Sequence, residues 1–431
     1  MHELALEGLT ASSLGGQTLN PYDLARTPGG SSGGSAAALA ASFAVLATGG
    51  DTVNSMRSPA SANAVFSFRP TRGLVSRAGT VPVSRTQDAL GAMARTVSDL
   101  AVALNAMASV GFDAEDDMTA LAPEEVRGTD YTSGLRGGDA SSLRLGLLTG
   151  FLNYTASEET TPVNDVIADM VRLLRSAGAT VVHITDEIYD PTAIAKLDIQ
   201  TYEYREQLDK YLSNANNNNN NNNNNLAASG RRAPSSFEEL YYPFPDTNTD
   251  TDTDTDTSSR QFLVIPSQYA HISNAAARST SDEAYSELRQ EIRHLTDALH
   301  ATLDTHGLDA LIYPQQRNLV VRVGSPSQSG RNGLMAALTG SPSVLVPAGF
   351  SPPTEDAPAG VPVGMELLGP PWSEARLLQI AHLIEQMSPA RRVPPFTNRT
   401  VESRSYQSVP SIQTRRDNIP DAYPLGQLGT T

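Results

Sequence analysis

One stretch of small residues dominates the chain: residues 27–59 read TPGGSSGGSAAALAASFAVLATGGDTVNSMRSP. Its Gly/Ser loop contains Ser31 and opens an alanine-rich apolar segment over residues 36–47, which predicts a buried helix. A second turn of small residues, 49–51, leads to Ser55. The stretch therefore predicts two serines on two tight loops that one buried helix joins.

The surroundings of Ser55 indicate a nucleophile. A serine hydroxyl needs a base, and it needs donors aimed at the developing oxyanion. The short loop from Asp51 to Ser55 can direct consecutive backbone N–H groups at one oxygen, and Arg57 follows closely. No histidine lies between His2 and His183, so no imidazole is local. A distant histidine remains open, because catalytic triads assemble in space and not in sequence.

Three segments carry a family resemblance: GGSSGGS, DTVNSMRSP, and the long stretch FRPTRGLVSRAGTVPVSRTQDALGAMARTVSDLAVALNAMA. Together they resemble the amidase signature family, including its fungal-type amidases, which are hydrolases of carbon–nitrogen bonds. The resemblance implies that Ser55 is the nucleophile and that Ser31, after a cis peptide bond, relays its proton.

The same resemblance assigns the remaining site residues. Backbone groups of Thr52, Val53 and Asn54, together with Ser55 itself, would bind the oxyanion of an acyl-enzyme intermediate. Glycine is usual in the family where Asn54 stands, so this side chain is expected to reshape the acyl pocket. Supporting roles are implied for Ser32, Asp51 and Arg57.

The family's third catalytic residue, a lysine upstream of both serines, has no counterpart here. The chain contains two lysines, Lys196 and Lys210, and both follow the motif by more than a hundred residues. The opening MHELALEG resembles the family segment that follows this lysine, which implies an N-terminally truncated chain. We therefore expect an impaired amidase; the alternative is a non-catalytic pseudo-amidase that serves as a binding or regulatory protein.

Apolar periodicity predicts an α/β fold. Short apolar runs alternate with amphipathic segments, which predicts a mixed, mostly parallel central sheet covered by helices on both faces. This is also the fold that the family resemblance implies, as a single domain over residues 1–431. The predicted strands are 64–68, 143–148, 180–184 and 308–313, and the predicted helices are 96–109, 161–174 and 285–303.

Low-complexity sequence interrupts this pattern between residues 214 and 260. It holds ten asparagines over residues 216–225 and Thr-Asp alternation over residues 249–257. Neither run can bury enough apolar surface to offset ordering entropy, so we predict a disordered insertion. Calcium binding by the aspartates is the alternative, although the glycine turn and closing glutamate of an EF-hand loop are missing. Residues 394–431 are predicted to be a polar tail.

Amino-acid composition and net charge limit the kinds of molecule that this protein is expected to bind. The formal charge of −16 disfavours nucleic acid, and the absence of cysteine excludes thiol catalysis and disulfides. The longest apolar run is too short to span a bilayer, so no membrane span is predicted. A phosphate-binding loop is disfavoured because the chain lacks the G-x-x-x-x-G-K-[ST] pattern. We expect a small-molecule amide as substrate and no metal or cofactor; oligomeric state and a cytoplasmic or secreted location stay open.

Overall fold

An eight-stranded sheet runs through the protein, with a separate two-stranded ladder near its N-terminus. The computed structural model describes residues 1–136, 138–220, 234–241, 265 and 268–395. The strands are β1 (Ala11–Ser12), β2 (Gly16–Gln17), β3 (Leu46–Asp51), β4 (Phe66–Arg69), β5 (Ala89–Ala94), β6 (Arg144–Leu148), β7 (Thr180–Ile184), β8 (Ala310–Pro314), β9 (Ser343–Phe350) and β10 (Pro362–Leu368). In the large sheet their order is β3-β5-β4-β9-β10-β8-β6-β7.

Helices connect these strands. They are α1 (Gly33–Ala40), α2 (Arg57–Ala62), α3 (Val97–Ala108), α4 (Thr161–Ser176), α5 (Pro191–Ala195), α6 (Gln200–Asn220), α7 (Phe237–Tyr241), α8 (Tyr269–Ala276), α9 (Glu283–His306), α10 (Leu334–Thr339) and α11 (Glu374–Met387). Short 3₁₀ turns lie at Glu3–Ala5, Asp117–Leu121, Glu124–Val126, Ala140–Ser142, Thr149–Phe151 and Glu187–Tyr189.

Both faces of the sheet are covered by helices, as the sequence predicts. Val344 and Val346 of β9 pack into a core that α3, α4 and α11 supply. Leu345, between them, points to the opposite face and packs with residues of α1 and α2. Tyr313 of β8 joins a core on α9 and α10. This alternation follows from the two-residue period of a strand, which sends successive side chains to opposite faces.

Strand direction corrects one part of the prediction. The sheet is mixed, as expected, but it is not mostly parallel: β6 pairs in parallel with β7 and β8. The other five neighbouring pairs are antiparallel. Periodicity predicts which residues form strands, whereas direction depends on which distant strands pair. The parallel pairs are confined to β6 and its two neighbours, and helix α4 connects β6 to β7.

The single helix predicted over residues 36–47 is also wrong. Helix α1 ends at Ala40, and Ser42 adopts a left-handed conformation with φ of 63°. The N–H of Phe43 then donates to the carbonyl of Ala38 at 2.8 Å, which satisfies a free carbonyl of the last turn. The chain continues as the edge strand β3, so the turn predicted at 49–51 is strand that pairs with β5.

The low-complexity predictions fall mostly outside the described residues. Helix α6 extends to Asn220 and thus includes the beginning of the asparagine run. The rest of that run, the Thr-Asp alternation and the tail beyond residue 395 lie outside the described part of the chain.

Close packing at Gly91 gives a stability prediction. A Cβ atom there would lie 2.0 Å from the Phe68 carbonyl oxygen and 2.5 Å from Cε of Met56. We therefore expect Gly91→Ala to lower the free energy of unfolding by about 1–3 kcal/mol, the usual cost of overpacking. Gly50→Ala is the control, because nothing lies within 4 Å of its added Cβ. Urea unfolding compares the two, and equal losses would contradict the packing at Gly91.

Candidate active site

The two serine-bearing turns meet in the structure. The N–H of Ser32 donates to the carbonyl of Ser55 at 2.9 Å, which joins their backbones. The peptide bond between Gly30 and Ser31 is cis, as the resemblance implies. Gly29 has φ of +69°, and an added Cβ there would lie 3.0 Å from the backbone nitrogen of Pro59. Only a residue without a side chain fits this approach, which brings the first turn against the start of α2.

Residues from the N-terminal segment hold the Ser31 turn in place. The hydroxyl of Thr10 donates to the Gly29 carbonyl at 2.6 Å and accepts from the Gly33 N–H at 3.2 Å. The backbone N–H of His2 donates to the Ser31 carbonyl at 2.8 Å. Ser31 itself is buried, with 1% of its surface exposed.

Every carbonyl of residues 52–55 is bound by a protein donor. The Thr52 carbonyl accepts from Gln87 Nε2 at 3.3 Å, and the Val53 carbonyl accepts from Arg57 Nη2 at 2.7 Å. The Asn54 carbonyl accepts from the N–H of Ser58 at 2.8 Å, and Ser55 has the Ser32 contact already described. Fixing the carbonyl end of each peptide also fixes the direction of the adjoining N–H groups.

The backbone N–H groups of the same four residues are unused. Within the described part of the chain, none of the N–H groups of residues 52–55 donates a hydrogen bond to protein. Buried backbone donors without partners are rare in folded proteins. A short loop with fixed carbonyls and free N–H groups has the arrangement of donors that an oxyanion-binding site requires.

Asp51 closes this loop from behind. Its Oδ2 accepts from the N–H of Met56 at 3.1 Å and from Nε of Arg57 at 3.2 Å. Its Oδ1 accepts from Arg57 Nη2 and from Arg69 Nη1, each at 2.8 Å. The carboxylate thus bridges the beginning and the end of the loop that carries Ser55.

Four buried charges form one cluster behind the loop: Asp51, Arg57, Arg69 and Glu366. Arg57 Nη1 binds Glu366 Oε2 at 2.6 Å, and the side chains of all four residues are fully buried. Burial opposes charge on Asp51, yet Arg57 and Arg69 hold the pKa of its carboxyl well below the ordinary value. Burial likewise opposes charge on Arg57, but Asp51 and Glu366 raise the pKa of its guanidinium. Two carboxylates therefore balance two guanidinium groups.

The turn before β5 supports the loop from a second side. Asp88 accepts from the N–H groups of Val83 and Ser84, both at 2.9 Å, and from the hydroxyl of Thr52 at 2.7 Å. Burial raises the pKa of Asp88 above its usual value. Gln87, which holds the Thr52 carbonyl, also accepts from the N–H of Ile199 at 3.0 Å.

The side chain of Asn54 differs from its neighbours. It is 1% exposed, and neither its amide nitrogen nor its amide oxygen has a partner in the described part of the chain. A Cβ on Gly333 would lie 2.5 Å from the Cβ of Asn54, so the two backbones approach closely. Buried amides normally find partners, which marks this one as available to a bound group.

No lysine accompanies the serines as the family pattern would require. Lys196, which follows α5, and Lys210 in α6 are both exposed. His2 is buried beside the first turn, and burial lowers the pKa of its imidazole to about 4. Its Nδ1 accepts from the N–H of Ala11 at 3.1 Å, so the neutral ring carries its proton on Nε2. That tautomer makes His2 a donor and not a proton acceptor.

Sequence reasoning missed several members of the site, among them Arg69, Gln87 and Glu366. Glu366 had a usable signal, because it is the only charged residue in the apolar run VPVGMELLG. A charge inside a buried strand requires a partner, which predicts a cation opposite it. Arg69 ends strand β4 and Gln87 lies in the turn before β5, where polar residues are ordinary, so nothing local distinguishes them.

The described residues contain neither a metal-binding cluster nor a helix suited to cross a membrane. No group of three histidine, aspartate or glutamate side chains there is arranged to hold a metal ion. None of the helices described has the length and apolar character needed to cross a bilayer.

Comparison with known proteins gives consistent results. The chain matches the family described as Amidase over residues 1–378. It is 31% identical over 405 residues to one subunit of glutamyl-tRNA(Gln) amidotransferase from Ralstonia nicotianae, covering 90% of this chain and 74% of that one. Among solved structures, peptide amidase from Stenotrophomonas maltophilia is 32% identical with a TM-score of 0.72, covering 92% and 74% of the two chains. An amidase family protein from Bacillus anthracis is 27% identical with a TM-score of 0.67, covering 91% and 68%.

A mixed sheet between helical layers, with two serine-bearing turns in contact, defines this chain as a mixed α/β protein. The chain belongs to the amidase signature family. The family expected from the sequence is thus confirmed, while the fungal type and the truncation stay predictions.

Proposed function

We propose that this protein hydrolyses a small-molecule amide through an acyl-enzyme on Ser55. The observation that carries the proposal is the loop of residues 52–55, in which four bound carbonyls accompany four unused N–H groups. Donors of this kind stabilise the oxyanion of acyl transfer, and losing one in a hydrolase costs about 2.7–4 kcal/mol of transition-state stabilisation. Thr52, Val53 and Asn54 supply donors in this proposal, as does Ser55.

The proposed reaction has two stages. Ser55 Oγ attacks the amide carbonyl carbon, and its proton passes to the Ser31 hydroxyl while the Ser31 proton moves to the leaving nitrogen. The carbon–nitrogen bond breaks and releases the amine. Water then attacks the ester on Ser55, returns the serine proton and releases the acid.

Asp51 and Arg57 act as positioning residues in this scheme. They fix the loop through the Met56 N–H and the Val53 carbonyl and do not touch the reacting atoms. Ser32 supports the arrangement by bonding the Ser55 carbonyl. The family match over residues 1–378 supports one amidase domain, with the low-complexity insertion inside it.

The lysine count argues for slow turnover. General acid–base catalysis contributes about 10²–10⁴-fold, and the two lysines of this chain, Lys196 and Lys210, are both exposed, so neither completes the relay. The same observation favours the second candidate function, a non-catalytic pseudo-amidase that binds amides in a preserved cleft. The family and the intact loop favour the enzyme.

A fluorophosphonate probe tests the proposal. We expect labelling of the wild-type chain at Ser55, mapped by mass spectrometry, and none in Ser55→Ala. We also expect hydrolysis of a short acyl anilide well below ordinary enzymatic rates. A folded chain that takes no label would support the pseudo-amidase, whereas Ser55-dependent turnover at ordinary rates would contradict the impairment.

A further inference from the structure

A cavity of about 580 Å³ lies where the β4–β5 connection faces helices α6 and α9. Its wall contains four arginines. Arg72 and Arg85 come from the connection, while Arg289 and Arg293 lie four residues apart on α9 and therefore share one face of that helix. Such a concentration of positive charge is unexpected in a chain of formal charge −16. We call this the arginine cavity.

The carboxylates near the arginine cavity are already engaged. Arg85 pairs with Asp117 at 2.6 Å on the exposed side. Glu203 is 2% exposed, and it accepts from the hydroxyl of Ser84, from the hydroxyl of Tyr285 at 2.7 Å, and from Thr86. Its lone pairs are therefore used by neutral donors rather than by a guanidinium.

Among the described residues, three of the arginines have no carboxylate partner. In the part of the chain that the structure describes, neither Arg72, Arg289 nor Arg293 lies within ion-pair distance of an acidic side chain. Arg289 Nη1 donates to the Thr86 hydroxyl at 2.5 Å, and Arg72 Nη1 donates to the Thr86 carbonyl. Two guanidinium groups thus converge on one residue of the cavity wall.

Burial and the neighbouring guanidinium groups disfavour the positive charge of Arg72. Burial lowers the pKa of its guanidinium to about 10, and the charges of Arg69, Arg77 and Arg289 act in the same direction. Its guanidinium also packs close to Gly340, where an added Cβ would lie 2.8 Å from Cζ. An anion in the arginine cavity would offset this repulsion.

We infer that the arginine cavity binds an oxyanion, namely a carboxylate or phosphate group of a small molecule. Guanidinium groups bind such anions through paired, charge-assisted hydrogen bonds. The hydroxyl of Ser286, which also lines the cavity, adds a neutral donor. The volume admits a small molecule and not only an ion.

The arginine cavity is linked to the serine loop through two adjacent residues. Thr86 lies in its wall, and Gln87 holds the Thr52 carbonyl. The anion therefore has two possible sources: an acidic group on the amide substrate, which rests on the proposed function, or a separate ligand that acts through the Thr86–Gln87 turn.

Calorimetric titration with inorganic phosphate and with succinate at fixed ionic strength tests the inference without turnover. We expect saturable binding to the wild-type chain that weakens by roughly tenfold or more in Arg289→Gln/Arg293→Gln, since each charge-assisted hydrogen bond is worth about a factor of ten. The matched control is Arg172→Gln/Arg322→Gln, which removes the same charge at exposed positions and should bind as wild type. No saturable binding of either anion, or equal affinity in the two double variants, would overturn the inference.

The source of the anion is resolved in the Ser55→Ala background, where no amide is consumed. An anilide with a free carboxylate is titrated beside its methyl ester. If the acid binds more tightly than the ester, the anion is a group of the substrate. Phosphate should then compete with the acid, and Arg289→Gln/Arg293→Gln should abolish the difference between acid and ester. Equal binding of acid and ester, together with phosphate binding, identifies a separate ligand. Both results leave the serine chemistry to the probe experiment, so failure of one proposal is distinct from failure of the other.

Discussion

Asp51→Asn is expected to destabilise the protein by about 3–5 kcal/mol, the usual cost of breaking a buried ion pair by removing one partner. The substitution preserves shape but leaves Arg57 and Arg69 with Glu366 as the remaining carboxylate of the cluster. Urea unfolding at pH 7, followed by circular dichroism, measures the loss.

The way in which the stability loss of Asp51→Asn depends on pH follows from the lowered pKa of Asp51. In the folded chain the pKa of the Asp51 carboxyl lies below its ordinary value of 3.8. The ionised carboxylate therefore makes its full contribution to stability at neutral pH. That contribution is lost only as the pH falls below 3.8 toward the folded-state value. The difference between wild type and Asp51→Asn should therefore be constant from about pH 5 to 8.

Asp169→Asn provides the matched control. Asp169 pairs with Arg172 on α4, and both side chains are mostly exposed, so its loss should cost less than about 1 kcal/mol. If Asp51→Asn cost no more than this control, the cluster would not be what holds the serine loop.

Ser31→Ala is expected to slow acylation of Ser55 by the fluorophosphonate probe roughly a hundredfold, the lower part of the range for general acid–base catalysis. In the proposed reaction the Ser31 hydroxyl receives the proton of Ser55, and an alanine cannot. The rate of labelling, measured over time at saturating probe, reports this step directly.

Ser35→Ala separates a relay from a structural role. Ser35 lies on the neighbouring helix α1, and its hydroxyl donates to the Thr48 carbonyl at 3.1 Å on the exposed side. Both alanine variants should keep the wild-type melting temperature within a few degrees, while only Ser31→Ala slows labelling. Equal labelling rates in the two variants would remove Ser31 from the mechanism.

In the proposed mechanism, this arrangement prepares a weak nucleophile without an imidazole base. Asp51 ties the two ends of the serine loop, and Arg57 ties its middle through the Val53 carbonyl. The N–H groups of residues 52–55 are left for a ligand. The charge needed to hold the loop is kept behind it, where the opposing groups neutralise one another.

Several elements of the fold follow directly from local sequence. Helix α3 lies within the predicted range 96–109, and the hydroxyl of Thr96 caps it by accepting from the N–H of Asp99 at 3.1 Å. Helix α4 begins at Thr161, the first residue of the predicted helix 161–174, and strand β7 has the predicted bounds Thr180–Ile184. Helix caps, proline positions and apolar periodicity act over a few residues, so the local sequence is enough to predict the elements that depend on them.

Other elements depend on partners that are distant in sequence. The segment after Ala40 becomes a strand because β5 pairs with it, and that pairing overrides an alanine-rich composition. The antiparallel pairing of β9 with β4 and with β10 is similarly invisible to periodicity. Each depends on long-range register, which no local pattern encodes.

The sequence by itself determined the two serine turns, the family to which they belong and the residues that flank Ser55. Only the tertiary structure decided that Asp51, Arg57, Arg69 and Glu366 share one buried cluster, and that four arginines surround one cavity. The physical reason is range: backbone preferences and periodicity act between near neighbours, whereas charge compensation joins side chains that only folding brings within a few ångströms.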